Sequence, residues 1–136
     1  MKIVVIDGQG GRIGKLVIEK INDLCASHEL IAIGTNSLAT AAMIKAGAKK
    51  AATGENPVIV NARKADVIIG PIGIVMANAL LGEVTEKMAI AISDSDAYKI
   101  LIPVSKCNHK VVGLKDLSID DYINLVYDEV KAILEG

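Results

Sequence analysis

Blocks of consecutive apolar residues alternate along this chain with stretches in which apolar positions recur every three or four residues. Residues 3–6 (IVVI) are apolar without a break, as a strand covered on both faces requires. A glycine-rich turn follows. Then Ile13, Leu16, Val17, Ile21 and Leu24 share one stripe of a helix that starts at about Arg12. Cys25 lies beside that stripe and reads as a small core residue, and His28 falls in an exposed connection. Residues 30–33 predict a second strand ending in Gly34-Thr35-Asn36, after which Ser37 caps an alanine-rich helix over 38–46 that Gly47 stops. A weak third strand covers Lys50–Thr53. Asn56-Pro57 reads as a capping side chain followed by proline at the first helical position, and Val58, Ala62 and Ala65 form that helix's apolar face.

The second half repeats the pattern. Residues 66–70 (DVIIG) predict a fourth buried strand, and the loop Gly70-Pro71-Ile72-Gly73 leads into 74–81, apolar almost all round and interrupted only by Asn78. Read as a helix, such a segment is covered on two sides, in a core or at a subunit interface. Thr85 caps a helix to about Ile92, residues 99–104 (KILIPV) predict a fifth strand, and 111–113 a short sixth. Ser118-Ile119-Asp120-Asp121 has the pattern of a capping box. It opens a closing helix whose stripe is Ile119, Tyr122, Ile123, Val126, Tyr127, Val130, Ile133 and Leu134.

Strands alternating with helices at this spacing imply βαβ units with right-handed crossovers. The expected fold is therefore a single α/β domain over 1–136, Rossmann-like and doubly wound. Its mainly parallel sheet has five to six strands, with helices on both faces. Ligands of such sheets bind beyond the strand C-termini, where the strand order reverses. That places the loops 7–14, 34–37, 70–73 and 104–109 around one crevice.

Composition narrows the function classes. The chain is 51% apolar with a net charge of −1, so it is neither a disordered tail nor a basic nucleic-acid binder. Its aromatic residues are Tyr98, Tyr122 and Tyr127, too few for a base-stacking platform. Two cysteines, Cys25 and Cys107, make no disulfide framework and no close metal-type pair. No apolar run reaches transmembrane length. The expectation is a reduced, cytoplasmic protein with no metal, no membrane and no nucleic acid. Homo-oligomerisation, as a homodimer, is expected from 74–81 and the alanine-rich helix.

The candidate chemistry centres on MKIVVIDGQGGRIGK. A strand, a glycine turn and a helix in that order build an anion site, because unpaired N–H groups at a helix start point outward. The pattern G-x-G-x-x-G fails at Ile13, whereas G-x-x-G-x-x-G fits on Gly8, Gly11 and Gly14, with Gly10 and Arg12 in addition. The glycines serve either a ligand's pyrophosphate or helix–strand packing alone. A P-loop is disfavoured: Gln9 stands where partition-type ATPases carry their signature lysine, and Leu16 replaces the magnesium-binding hydroxyl. The turn resembles that of atypical short-chain dehydrogenases. GQGGRIGK is similar to the N-terminal turn of dihydrodipicolinate reductase, where an arginine at the Arg12 position lies beside the cofactor. Over its whole length the chain resembles a small bacterial family without an assigned function. That resemblance is carried by VIDGQGGRIGK, GTNSLATAAMIKAGA, ATGEN, ADVIIGPIGIVMANALLGE and ILIP. It implies a stand-alone Rossmann-like domain and no particular reaction.

The candidate ligand residues are Gly8, Gln9, Gly10, Gly11, Arg12, Ile13, Gly14, Thr35, Asn36, Ser37, Gly70, Pro71, Ile72, Gly73 and Asn78. Thr35, Asn36 and Ser37 are neutral donors where NAD enzymes place a ribose-gripping carboxylate. With Arg12 nearby, this tilts the expectation to NADP ahead of NAD and leaves other nucleotides open; the same residues also serve as helix caps. Asn78, read as a buried amide, needs a partner in a ligand, in the backbone or in a second subunit. Glu55 and Glu83 lie beside glycines without an evident acid–base partner. Tyr127 and Lys131 fit Y-x-x-x-K, but Tyr127 sits on an apolar stripe and reads as core. Cys107 and His109 stand two apart at the crevice edge, either a nucleophile–base pair or a polar turn, and Asp94-Ser95-Asp96 reads as a solvated helix end. No catalytic residue is assigned. Three readings stand: a nucleotide-binding or sensory module, a small NADP-dependent oxidoreductase with a pocket completed by a second subunit, and a ligand-free interaction protein.

Overall fold

The computed structural model describes residues 1–104 and 108–136. The expected Cys107–His109 pair therefore involves a residue outside the described ones. Among these, five strands form one parallel sheet: β1 (Lys2–Asp7), β2 (Glu29–Gly34), β3 (Lys50–Thr53), β4 (Val67–Pro71) and β5 (Tyr98–Ile102). Their order is β3-β2-β1-β4-β5, so the chain winds outward from β1 to one edge, crosses back and continues on the other side through β4. The helices are α1 (Arg12–Ile21), α2 (Ser37–Lys45), α3 (Glu55–Lys64), α4 (Glu86–Asp94) and α5 (Ile119–Glu135). This is the doubly wound α/β arrangement, Rossmann-like in its strand order. No helix among the described residues is long and apolar enough to cross a membrane.

Period-two alternation in the sheet sends neighbouring side chains to opposite layers. Ile3, Val5, Ala32, Val67, Ile69, Ile100 and Ile102 meet Val17, Ile18 and Ile21 of α1, Met43 of α2, and Ile123, Val126 and Val130 of α5. Val4, Ile6, Ile31, Ile33 and Ile68 face the other way, onto Val58 and Ala62 of α3 and Met88, Ala89 and Ile92 of α4. A continuous apolar run is thus needed in β1 because both faces are covered. Cys25 is buried in the first layer, and burial pushes its thiol up to about 11, so it is a packing residue. Tyr127 also packs against that layer, with the Lys20 ammonium 5.5 Å from its ring centroid, while Lys131 is exposed. The Y-x-x-x-K spacing is therefore a helix-surface coincidence.

Several expectations are corrected. Residues 74–81 do not form an α-helix: a single 3₁₀ turn, Ile72–Val75, gives way to a loop. Within that loop Asn78, Leu80, Leu81 and Gly82 adopt φ of 65°, 56°, 57° and 90°. The segment is apolar because it folds back on the sheet, burying Ile74, Leu80 and Val84 while Leu81 points to solvent. Asn78 is exposed rather than a buried amide, and its N–H donates to the Val84 carbonyl at 2.6 Å, closing the loop. The two-sided helix offered as one ground for an oligomer is gone, leaving only the alanine-rich α2. Residues 111–113 form no strand; they run through a turn in which Gly113 has φ 80° and Val112 is exposed. His28 is half-buried, with Nδ1 3.1 Å from the Met1 amine. Asn36, not Ser37, caps α2, and α3 begins at Glu55 with Asn56 inside its first turn. Thr85 and Ser118 cap α4 and α5 as expected.

Gly70 shows how tightly β4 meets β1: a Cβ there would lie 2.4 Å from the Ile6 carbonyl oxygen, a backbone atom that cannot swing aside. Gly70→Ala should destabilise the domain by about 1–3 kcal/mol through overpacking, measured as a lower midpoint in urea unfolding with the slope unchanged.

Candidate functional site

The site begins at the end of β1. Asp7 is buried there, and its carboxylate turns back to accept the N–H of Gly8 at 2.8 Å and of Gly14 at 2.7 Å. It therefore serves the start of α1, where Gly11 holds the N-cap position and has no side chain to do so. Burial pushes the Asp7 carboxyl up. The N–H groups of Gly14, Gly8 and Ile13 pull it down, and the charge of Glu83 raises it again, leaving it above the ordinary carboxylate value.

The three glycines of G-x-x-G-x-x-G are each held by packing. A Cβ on Gly8 would lie 2.5 Å from Thr35 Oγ1, one on Gly11 2.7 Å from the Ala39 backbone, and one on Gly14 2.5 Å from Met43 Sδ. Gly11 also needs its φ of 75°. Gly10 differs, because a Cβ there would meet nothing within 4 Å. The N–H groups of Gly10 and Arg12 have no acceptor among the described residues, whereas that of Gly14 is committed to Asp7 and that of Gly11 to the Gly8 carbonyl at 2.9 Å.

A cavity of about 310 Å³ opens above this turn, lined by residues 7–13 together with Pro71, Leu80, Val104 and Ile119. It lies where the chain's winding reverses, between the C-terminal ends of β1 and β4. Of the expected ligand residues, Gly8, Gln9, Gly10, Gly11, Arg12, Ile13 and Pro71 line it. Gly14 lies beneath, and Gly70 and Gly73 are buried structural positions. Ile72 instead lines a groove between β5 and α5, and Ser37 and Asn78 are exposed.

Thr35 and Asn36 do not form a neutral edge. Glu83, brought across the strand ends by the loop after β4, accepts from the Gln9 N–H at 2.9 Å, the Thr35 hydroxyl at 2.7 Å and the Asn36 amide at 2.6 Å. Asn36 is fixed in turn, its Oδ1 accepting from the Ala39 N–H at 2.8 Å while Nδ2 also donates to the Gln9 carbonyl at 2.9 Å. Burial pushes Glu83 up, but the three donors outweigh it and hold it below the ordinary glutamate value. Sequence reasoning placed the loop from Val104 at the crevice and noted Glu83 without finding its partners, and it missed Leu80 and Ile119 as cavity lining. The available signal was Gly82, a turn residue that lets the chain reverse just before an acidic side chain. Glu55 has a structural partner, accepting from the Thr85 hydroxyl at 2.5 Å and tying α3 to α4. No group of three metal-ligating side chains occurs among the described residues.

The two carboxylates have opposite linkage. Glu83, lowered in the fold, contributes stability above its unfolded pKa that is lost as pH falls through the folded value; Asp7, raised, contributes below its unfolded pKa and loses that as pH rises. Between about pH 6 and about pH 3, wild type should therefore lose stability relative to Glu83→Gln, followed by urea midpoints across that range. Asp7→Ala leaves the Gly8 and Gly14 N–H groups unpaired and should cost about 1–3 kcal/mol at neutral pH, read as a drop in Tm.

No curated protein and no solved structure matches the chain. Residues 2–135, nearly its whole length, match one family, and the chain belongs to it: the Domain of unknown function (DUF3842) family.

Proposed function

We propose that this domain binds a nucleotide over the turn 8–12, as a binding or sensory module. The observation that carries this is Gly10. Packing accounts for Gly8, Gly11 and Gly14, but Gly10 lines the cavity with room that no described atom fills, and its own N–H and that of Arg12 have no acceptor among the described residues. Backbone of that kind at a helix start suits a phosphate, and the Arg12 guanidinium on the cavity wall adds a charge-assisted donor. The resemblance of the turn to those of dihydrodipicolinate reductase and atypical short-chain dehydrogenases supports the same reading. The residues fit a nicotinamide dinucleotide: Gly10 and Arg12 would hold its pyrophosphate, and Pro71 and Leu80 would face its more apolar part. When bound, such a cofactor supplies hydride transfer. The cavity volume is at the low end for small-molecule sites, so a mononucleotide is also accommodated. The described cavity lining offers no proton-transfer pair, since Asp7 is engaged by Gly8 and Gly14. This favours binding over an oxidoreductase role.

A thermal-shift panel of NADH, NADPH, ATP, FAD and S-adenosylmethionine tests the proposal. A true ligand at 100 times its Kd stabilises the fold by about 2.7 kcal/mol. Gly10→Val should leave the unliganded Tm nearly unchanged and abolish the shift, and Arg12→Ala should weaken it about tenfold, as loss of a charge-assisted bond does. No shift with any member of the panel would refute nucleotide binding.

A further inference from the structure

Glu83 is held by one oxygen only. Gln9 N–H, Thr35 Oγ1 and Asn36 Nδ2 all converge on Oε1, and Oε2 receives no bond from the described residues. Three donors fix the plane of the carboxylate, and Asn36 is locked by its own bonds to Ala39 and Gln9, so the side chain is pre-oriented. Glu83 is not itself one of the residues lining the cavity, but its carboxylate lies directly behind the wall: a Cβ on Gly8 would come within 3.1 Å of Oε1, and Gly8, Gln9 and Leu80 line the cavity.

We propose that Glu83 Oε2 accepts the vicinal hydroxyls of a ribose, so that the site selects nucleotides with a free 2′-hydroxyl over those carrying a 2′-phosphate. This rests on the nucleotide reading given above. The chemistry is one of complementarity. An ionised carboxylate oxygen offers lone pairs and no proton, which hydroxyl donors satisfy. A phosphate brings acceptors and like charge to the same point, and like charges in close contact repel. The donors a phosphate would need at the end of β2 are already spent on Oε1. Thr35 and Asn36 read alone favour NADP; with Glu83 seated on them the preference reverses. A ribose acceptor that dinucleotide folds carry at the end of the second strand is here delivered by the loop after β4.

Isothermal titration of the full chain with NADH, NADPH, AMP and 2′-deoxy-AMP tests this. Wild type should bind NADH at least about tenfold more tightly than NADPH, and AMP about tenfold more tightly than 2′-deoxy-AMP, the loss expected for one hydrogen bond to a charged group. These comparisons need no variant, so they do not depend on a mutant's folding. In Glu83→Gln the amide oxygen keeps the three donors but the second oxygen and the charge are gone, and both ratios should fall to near one. Equal binding of NADH and NADPH by wild type, or ratios unchanged in Glu83→Gln, would overturn the diol assignment and leave nucleotide binding standing. Failure of all four ligands to bind would remove both.

Discussion

The buried carboxylate of Asp7 is the constraint on which the glycine-turn end of this domain depends. It sits at the end of the central strand and takes the N–H groups of Gly8 and Gly14, binding strand, turn and helix start into one unit. A charge out of water is expensive, and only such donors make it tolerable. The bonds in turn dictate residue types nearby. Gly14 must be small because a Cβ would lie 2.9 Å from the Asp7 Cβ, and Gly11 must accept a left-handed backbone for the turn to close. Part of the helix start is therefore capped by the protein itself, and the turn N–H groups left without an acceptor among the described residues include those of Gly10 and Arg12.

A second carboxylate organises the opposite edge. Glu83 reaches Gln9, Thr35 and Asn36 because residues 76–84 fold over the strand ends, passing through left-handed conformations at Leu80 and Leu81. Left-handed backbone costs a non-glycine residue roughly 1–2 kcal/mol. Burial of Leu80 offsets part of this, since sealing a leucine from water contributes roughly 1.5–3 kcal/mol. Leu81 is 96% exposed and gains nothing comparable. The local strain is borne by the turn that carries Glu83 to its three donors.

Strands β1, β2, β4 and β5 were legible because each apolar block is the length of a strand and bounded by glycine or a polar residue, β3 (KAAT) was only faintly so, and the helix stripes of α1 and α5 followed from spacing alone. Residues 74–81 were misread because a short run without periodicity looks the same whether it is a helix buried on two sides or a loop folded into the core. The cap of α2 moved from Ser37 to Asn36 because both side chains suit that role and only the backbone angle distinguishes them.

By itself, the sequence determined the layer order, the parallel sheet and the place of the glycine turn, since these follow from local periodicity and the right-handed crossover. Only the tertiary structure decided which glycines pack and which is open, and whether the end of β2 is neutral or acidic. Glu83 is 48 residues from Thr35 along the chain. Contacts of that separation arise from how elements are stacked, and no local pattern of residues encodes them.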